Sequence, residues 1–404
     1  MATNKVEIGF DLSGLPGAEF ARLDDAFYGL LDAPQTILGG AIYQDVTPFV
    51  LDYSLSRGKS RQLDLYQAGR LTVNLDNNSR IFDPLFGGSP YRTQIIPKRS
   101  VRVISNDIIQ MEAVIDDWDL SYSPNGNSVA SIIASDAFSR FANQSLTAGT
   151  TVSEYTGERI EAVLQNAGVQ WPNTRLDLET GTQLLQNDSL VEGTNALSYL
   201  QNIALSEPGS LFVSKTGNVK FLDRNPEPPT LVPVFTDDGT GIPYQELRVV
   251  YGAELLFNDI VVTRLNGGTA VASDTDSQTQ YGIQNLTRSN LPLDDDTLAQ
   301  DLADYLLEQY KEPEYRFESL TIELIDLADT TQDNILDLEL GSIVQVKFTP
   351  NDVPPAINRL AEVIGIDHNV TPFSHKITLK LASIQDIFWQ LSEAVFGRLG
   401  YALR

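Results

Sequence analysis

Residues 57–84 of the 404-residue chain read RGKSRQLDLYQAGRLTVNLDNNSRIFDP. It opens with Gly-Lys-Ser, which is also the end of the phosphate-binding pattern G-x-x-x-x-G-K-[ST]. That pattern needs a glycine five residues before Gly58, where this chain has Tyr53. The flanking residues alternate between apolar and polar as β-strands do, so the strand–loop–helix order of a nucleotide site is missing. We therefore predict a basic turn on a β ladder.

The surrounding residues 46–145 are predicted to be mainly β-strands. Leu71, Val73 and Leu75 lie at alternate positions and share one face of a strand. Residues 111–136 form two strand-like runs separated by Pro-Asn-Gly-Asn. Asn-Gly is typical of hairpin turns because both residues tolerate a positive φ. The sequence therefore predicts a hairpin here.

Helical patterns appear after residue 150. An amphipathic helix is predicted in 156–168, with Thr156 as its cap, and a second in 192–209, before a hairpin in 209–224. Residues 266–282 are predicted to be a polar loop. A further helix is predicted to begin at Asp294–Asp296, because acidic residues favour the positive end of the helix dipole.

These patterns predict a mainly β chain with α/β insertions, divided into six parts. Those parts are an N-terminal arm (1–45), a first β-barrel domain (46–150), an α/β inserted domain (151–230), a second α/β region of strands and a helix (231–312), a second β-barrel domain (313–388) and a C-terminal docking tail (389–404).

Two internal similarities support this division. Residues 111–138 resemble 361–388, which predicts two similar small β barrels from a duplication. Residues 20–31 and 388–399 share the pattern F-x-x-L-x-[DE]-A-x-[aromatic]-G-x-L. These apolar segments either pack on their own barrels or dock on a partner. The candidate docking residues are Leu23, Phe27, Tyr28, Val395, Phe396 and Leu399.

Composition argues against several classes of function. The net charge of −26 repels nucleic acid, so DNA that meets this protein is expected to pass without binding. The absence of cysteine excludes disulfides and thiolate metal sites. The sequence has no apolar run of about 18 residues, so no membrane insertion is expected.

Catalytic patterns are also missing, and we predict no enzyme activity, no cofactor and no metal. His368 and His375 do not have H-E-x-x-H spacing, and no G-x-S-x-G pattern occurs. Both histidines are expected to be ordinary strand or turn residues. The segments 237–241 and 274–278 are acidic but do not match the calcium-loop pattern.

Residues 57–84 resemble a segment of the minor tail, or tail-hub, proteins of long-tailed bacteriophages. Weaker similarities extend the resemblance over roughly residues 46–388, whereas 1–45 match poorly. Among these are Ser135 to Phe138 and residues 258–264, NDIVVTR. The matching residues of the first segment are Arg57, Gly58, Leu63, Asp64, Tyr66, Ala68, Gly69, Leu75, Asp76, Asn77, Arg80, Phe82, Asp83 and Pro84.

The resemblance implies a structural protein of the virion, located at the tail tip and assembled in the bacterial cytoplasm. By the same resemblance, a homotrimer of such two-barrel chains is expected to form a ring of six similar units, which would join a sixfold tail tube to a threefold tip and form or gate the DNA ejection channel. The implied partners are the distal tail or tail tube protein, a tail fibre or spike protein and the tape measure protein.

Asp76, Asn77, Arg80 and Asp83 are the candidate structural residues. Asx side chains bind turn amides, and an arginine can bind a carboxylate with two donors. These residues fix either a local turn or an interface. The alternative functions are a distal tail ring, a fibre-anchoring protein, or a carbohydrate-binding adhesin that uses Trp118, Trp171 and Trp389; a cell-wall hydrolase is not expected.

Overall fold

The computed structural model describes residues 3–10, 42–124, 126–224 and 232–384. Strands account for 43% of the structure and helices for 20%, which confirms the predicted mainly β class with α/β insertions. The helices are α1 (Ala137–Ala142), α2 (Thr156–Leu164), α3 (Ala196–Ser206), α4 (Thr275–Tyr281), α5 (Asp296–Tyr310) and α6 (Asp329–Leu336).

The strands fall into three sequential groups. The first group contains β1 (Asn4–Phe10), β2 (Ile42–Asp45), β3 (Val50–Gly58), β4 (Gln67–Asp76), β5 (Ser100–Ser105), β6 (Ile108–Ser121) and β7 (Val129–Ser135). The second contains β8 (Gly149–Thr150), β9 (Glu154–Tyr155), β10 (Leu176–Leu178), β11 (Leu184–Leu185), β12 (Ser189–Leu190), β13 (Ser210–Val213) and β14 (Val219–Leu222). The third contains β15 (Val234–Thr236), β16 (Glu246–Tyr251), β17 (Asp259–Arg264), β18 (Thr269–Ser273), β19 (Asn285–Leu291), β20 (Tyr315–Glu323), β21 (Ile343–Phe348), β22 (Ile357–Thr371) and β23 (Ser374–Ser383).

One sheet of thirteen strands runs through both predicted barrel domains. Eleven of its strands follow the order β16-β20-β23-β22-β3-β4-β7-β6-β5-β1-β2. The other two are β21, which pairs with β22, and β15, which pairs with β21. The pairing of β3 with β22 joins the two halves, from Val370 opposite Tyr53 to Gly365 opposite Gly58. No closed barrel is detected among the described strands. The two predicted barrel regions are therefore two parts of one continuous ladder.

The internal similarity corresponds to two meanders of the same local arrangement. In the first, β5 pairs with β6 and β6 with β7; in the second, β21 pairs with β22 and β22 with β23, all antiparallel. Each meander contains register shifts in its long middle strand. The two segments that resemble each other in sequence are thus also alike in topology.

Two hydrophobic clusters lie within the described residues. One packs the inner faces of the first strand group and includes Val370 of β22; it also contains Leu71, Val73 and Leu75, as their alternation predicted. The larger cluster surrounds α1, α2, α3 and α5 and the inner faces of β20, β22 and β23. Because Val370 belongs to the first cluster and Val363 to the second, β22 takes part in both cores.

Several local expectations need correction. Residues 266–282 are not only a loop, since they contain β18 and α4. The first residue of α2 is Thr156, and the Glu158 carboxylate accepts the Tyr155 backbone N–H at 2.9 Å, so the cap lies one residue earlier than predicted. Helix α5 begins at Asp296 after the Asp295 cap, within the predicted start.

Candidate functional site

The turn after β4 is built by two Asx side chains. Asp76 Oδ1 accepts the Asn78 N–H at 2.9 Å, and Asn77 Oδ1 accepts the Phe82 N–H at 2.9 Å. Asn77 is fully buried. These bonds replace ladder partners that the backbone loses when it leaves the sheet. Asp76 and Asn77 thus each bind a backbone amide of this turn.

Arg80 and Asp83 fix the next step of the same loop. Arg80 has a φ of 57°, an uncommon conformation for a residue with a side chain. Its Nε and Nη2 donate to Asp83 Oδ2 at 2.9 and 2.6 Å, and Asp83 Oδ1 accepts the Leu85 N–H at 2.8 Å. The Leu85 amide and the Arg80 guanidinium hold the pKa of the Asp83 carboxyl below its usual value. The loop is therefore rigidly defined by its own polar contacts.

An aromatic cluster anchors this loop on the first core. The buried Phe82 ring stacks on Tyr91 at 6.0 Å between centroids and on Trp118 at 6.3 Å. Tyr91 in turn stacks on Phe10 of β1 at 4.6 Å. Aromatic pairs at such distances add to the free energy gained from burial. Residues 77–99, called the 77–99 loop below, thus belong to the folded core.

The outer surface of the 77–99 loop carries exposed apolar side chains. Leu85 is 83% exposed and Ile96 is 45% exposed. Tyr122, which is half exposed, hydrogen-bonds to Asp83. Apolar side chains presented by an ordered loop are typical of a contact surface. We treat this surface as a candidate interface; other apolar side chains of the described residues, such as Phe373, are equally exposed.

The Gly-Lys-Ser stretch has a structural role at the joint between β3 and β22. Gly58 has a φ of 97°, and a Cβ atom there would lie 2.3 Å from the Ile364 carbonyl oxygen. Lys59 donates its backbone N–H to the same oxygen at 2.9 Å. Arg57 is buried and its Nη1 donates to Glu339 at 2.6 Å. The stretch ends a strand, as predicted, and forms no phosphate loop.

Asp136 links β4 to α1. Its Oδ1 accepts the Phe138 N–H at 2.9 Å as a helix cap, and its Oδ2 accepts the Gly69 N–H at 2.7 Å. Burial raises the pKa of Asp136 to about 7. The resemblance in sequence already included Gly69 and Ser135 to Phe138, and the structure shows that these residues meet.

The two histidines also meet, which their sequence spacing did not predict. His368 Nδ1 and His375 Nε2 lie 3.1 Å apart, and both side chains are buried. The Glu323 carboxylate accepts the His375 backbone N–H at 2.7 Å. Burial lowers the pKa of His375 to about 4 and lowers that of His368 well below 6.5. They are strand residues, as expected, but they form a buried neutral pair.

The remaining candidate residues and sites can be placed only in part. All six docking residues, Leu23 to Tyr28 and Val395 to Leu399, lie outside the described residues. In the described ranges, no group of three or more acidic or histidine side chains is arranged to hold a metal ion. Across these same ranges, none of the helices combines the length and apolarity that a membrane crossing requires.

Comparison with known proteins identifies the fold. No protein-family model matches the sequence, and no curated protein matches it at the level of sequence. Among solved structures, the tail protein from Neisseria meningitidis MC58 matches with a TM-score of 0.59 and 12% identity, covering 94% of this chain and 96% of that chain. The 43 kDa tail protein of prophage MuSo2 from Shewanella oneidensis matches with a TM-score of 0.59 and 11% identity, covering 94% and 98%.

A third similar structure is the half-lidded Francisella PdpA–VgrG complex, with a TM-score of 0.50 and 10% identity. The match covers 95% of this chain and 59% of that chain. The chain therefore has the fold of phage tail proteins, and the resemblance inferred from residues 57–84 is confirmed at the level of fold.

Proposed function

We propose that this chain is a structural, non-catalytic protein of a bacteriophage tail and is located in the virion. The observation that carries the proposal is the match of nearly the whole chain to two whole tail proteins. A fold alone does not define a function, so the rigid 77–99 loop with its exposed apolar residues is the second support. Such a loop fits a protein that works by contact with neighbours.

Within the tail, we assign the chain to a trimeric hub at the tip. The two meanders β5-β6-β7 and β21-β22-β23 give each chain two similar units, so three chains present six. Six similar units can meet a sixfold tube while the trimer keeps threefold symmetry for the tip. The corresponding neighbours are the distal tail or tail tube protein on one side and the fibre or spike protein on the other, with the tape measure protein inside.

The charge of the chain supports passage of DNA through this ring. With 54 acidic and 28 basic residues, the protein repels phosphates over roughly 8–10 Å at physiological salt. A negative channel wall lets a duplex pass without adhering. The hub would form or gate this channel mechanically, with no catalytic step.

The domain boundaries follow from the same proposal. The β units 46–150 and 313–388 form the ring, and β1, β2, β15 and β16 belong to the same sheet. The remaining α/β residues of 151–230 and 231–312 lie outside this sheet. The arm 1–45 and the tail 389–404 carry the docking residues Leu23, Phe27, Tyr28, Val395, Phe396 and Leu399. The loop fixed by Asp76, Asn77, Arg80 and Asp83 lies at a contact between subunits.

The test is the assembly state of the purified full-length protein. The chain has a mass of 44.5 kDa, and mass photometry should find three copies per particle. Leu85→Glu should weaken the trimer by about tenfold or more, because it places a charge in an apolar contact. Val271→Glu is the matched control, since Val271 is 53% exposed on β18, away from this loop. A monomer at micromolar concentration would contradict the hub assignment.

Electron microscopy of the same particles separates the hub from its nearest alternative. A threefold ring supports the hub, whereas a sixfold ring of six chains identifies a distal tail ring or a fibre-anchoring ring. The adhesin alternative is weaker, because Trp171 is buried and Trp118 packs on Phe82. Specific binding on a glycan array would nevertheless overturn this judgement.

A further inference from the structure

A cavity of about 340 Å³ lies between the inserted α/β part and the second half of the sheet. Its walls come from the segment after β3, from α3, from the β13–β14 hairpin, from α5 and from the end of β23. None of the residues 77–99 lines this cavity, so it is separate from the 77–99 loop.

The lining combines apolar side chains with charged ones, among them Lys59, Arg288 and Glu362, and it is only partly covered. Leu205 of α3, Leu222 of β14 and Tyr305 of α5 line the cavity, and each is only half-buried. Leu302 and Leu306 form a deeper, buried part of the wall. Apolar surface that is left open inside a protein favours an apolar or aromatic occupant.

One part of the wall is polar. Glu362 interacts with the Ser210 hydroxyl, and Lys59 lies 4.7 Å from the centre of the Tyr66 ring. Burial raises the pKa of Glu362 and lowers that of Lys59. The Glu362 carboxyl is thus a hydrogen-bond acceptor in the cavity wall, which suits an aromatic side chain with one N–H donor.

The C-terminal segment of the same chain contains aromatic residues that follow, closely in sequence, residues of the cavity wall. Ser383 and Ile384, the last described residues, line the cavity. The next residues are Gln385, Asp386, Ile387, Phe388 and Trp389. Five residues span up to roughly 17 Å when extended, so Phe388 and Trp389 can reach any wall of a cavity of this size.

We propose that the C-terminal segment docks Phe388 and Trp389 into this cavity of the same chain. Phenylalanine and tryptophan side chains each bury roughly 150–250 Å². The cavity would thereby fix the start of the tail and leave residues 395–399 free to contact a partner. Docking of the C-terminal segment within its own chain does not depend on formation of the trimer.

Disulfide trapping tests the proposal directly, because the chain has no cysteine of its own. Leu205→Cys in the cavity wall is combined with Phe388→Cys in the tail. Mild oxidation of the full-length protein should give an intramolecular disulfide, seen as a thiol-reversible mobility shift and as a linked peptide by mass spectrometry. The control pair is Leu85→Cys with Phe388→Cys, since Leu85 is 83% exposed in the other half; it should not link.

Two results would overturn the proposal. One is the absence of a link between Cys-substituted positions 205 and 388. The other is a link only between chains, detected by mixing two differently tagged copies, which would place the tail in a second copy.

The second measurement is limited proteolysis of the wild-type protein and of one variant, neither of which carries an introduced cysteine. Chymotrypsin should cut after Phe388 or Trp389 slowly in the native protein. Ala204→Phe fills the cavity from α3, and cleavage should then be faster by about tenfold or more, since a displaced segment is open to protease. Far-ultraviolet circular dichroism checks that this variant is folded. Equal cleavage rates in a folded variant would also contradict the docking.

Discussion

Asp136 is a buried carboxyl whose bonds hold the first helix against the sheet. It accepts two backbone N–H groups, from Gly69 and Phe138, yet burial outweighs both and raises its pKa to about 7. Its unfolded value is near 3.8. A carboxyl with a raised folded pKa stabilises the protein in its protonated form, and that stability is lost as pH rises from about 4 through 7.

We expect Asp136→Asn to remove this pH dependence. The wild type should lose roughly 2–3 kcal/mol of stability from this group between pH 5 and pH 8, because each pKa unit corresponds to about 1.4 kcal/mol. The neutral variant should lose none of it. Urea unfolding at both pH values measures the difference. If the gap between wild type and variant is the same at pH 5 and pH 8, Asp136 does not titrate as described.

The histidine pair should have the opposite effect to Asp136 on the pH dependence of stability: the protein should lose stability as pH falls. Both rings are neutral in the folded protein, and the pKa of His375 is near 4 against 6.5 in the unfolded chain. Stability from this group is present above pH 6.5 and is lost as pH falls towards 4, because burial disfavours the charged form of the His375 ring.

His375→Gln should therefore reduce the loss of unfolding free energy that occurs as pH falls below 7. We expect the loss between pH 7 and pH 4.5 to shrink by roughly 2–3 kcal/mol relative to wild type, as measured by urea unfolding. Lys376→Gln is the control, since Lys376 is exposed at the next position and should leave the loss unchanged. An unchanged loss in His375→Gln would contradict the buried neutral pair.

Residue types could predict the turn but not the buried pairs. Asp76, Asn77, Arg80 and Asp83 were recognisable because their bonds are local, within about five residues. The meeting of Asp136 with Gly69 depends on the register of β4 against β7, which no local pattern specifies. His368 and His375 were separated by a visible turn, so hairpin register was the signal that could have paired them.

At the scale of elements, α5 shows what periodicity and capping can specify. Its residues Leu302 and Leu306 lie one turn apart and are both buried, and Asp295 Oδ1 accepts the Leu298 N–H at 2.9 Å. We expect Asp295→Ala to lower the free energy of unfolding by about 1 kcal/mol, measured by urea unfolding. Asp301→Ala, at an exposed position inside the same helix, should have little effect. Equal losses in the two variants would argue against the cap.

Helix α4 was missed for a physical reason. It has seven residues and buries only Ser277, so it shows no apolar period. Its support is tertiary: Ser277 Oγ donates to the Lys311 carbonyl at 2.5 Å and accepts from Asn258 Nδ2 at 3.0 Å. A helix fixed by polar contacts to distant segments reads as a polar loop in the sequence.

The joint between β3 and β22 predicts a large effect at Gly58. Gly58→Ala combines an unfavourable φ with a Cβ atom 2.3 Å from the Ile364 oxygen, and we expect a loss of roughly 2–4 kcal/mol in urea unfolding. Gly239→Ala is the matched control, because Gly239 has a φ of 76° and nothing within 4 Å of a Cβ. It should cost only about 1 kcal/mol. Similar losses at both sites would mean that the close approach is not important.

At the scale of the whole molecule, one sheet and a shared strand join the two halves. Strand β22 pairs with β3, β21 and β23 and contributes to both cores. We expect amides of β4 and β23 to open together when hydrogen exchange is followed by mass spectrometry in mild urea. In Gly58→Ala they should open at different urea concentrations. Separate opening in the wild type would show that the halves unfold independently.

The sequence predicted two similar units but not that the pairing of β3 with β22 joins them in one sheet. The segments 111–138 and 361–388 resemble each other because each contains a hairpin. The two strands of a hairpin are close in the chain, so their pairing can be recognised from the sequence pattern. Pairing of residues 53–58 with 365–370 is set by long-range packing, and alternation along each strand is the same whichever neighbour it has. The cavity beside Ile384 is likewise a product of several distant segments.

The order of synthesis gives the β3–β22 pairing a further consequence. When β3 leaves the ribosome, one of its two edges can pair with β4, but its other partner is not made until residues 59–356 have followed. An unpaired edge invites association with other nascent chains. Arg57, Lys59 and Arg61 stand at the end of this strand, and positive charge there discourages such association until the last hairpin arrives.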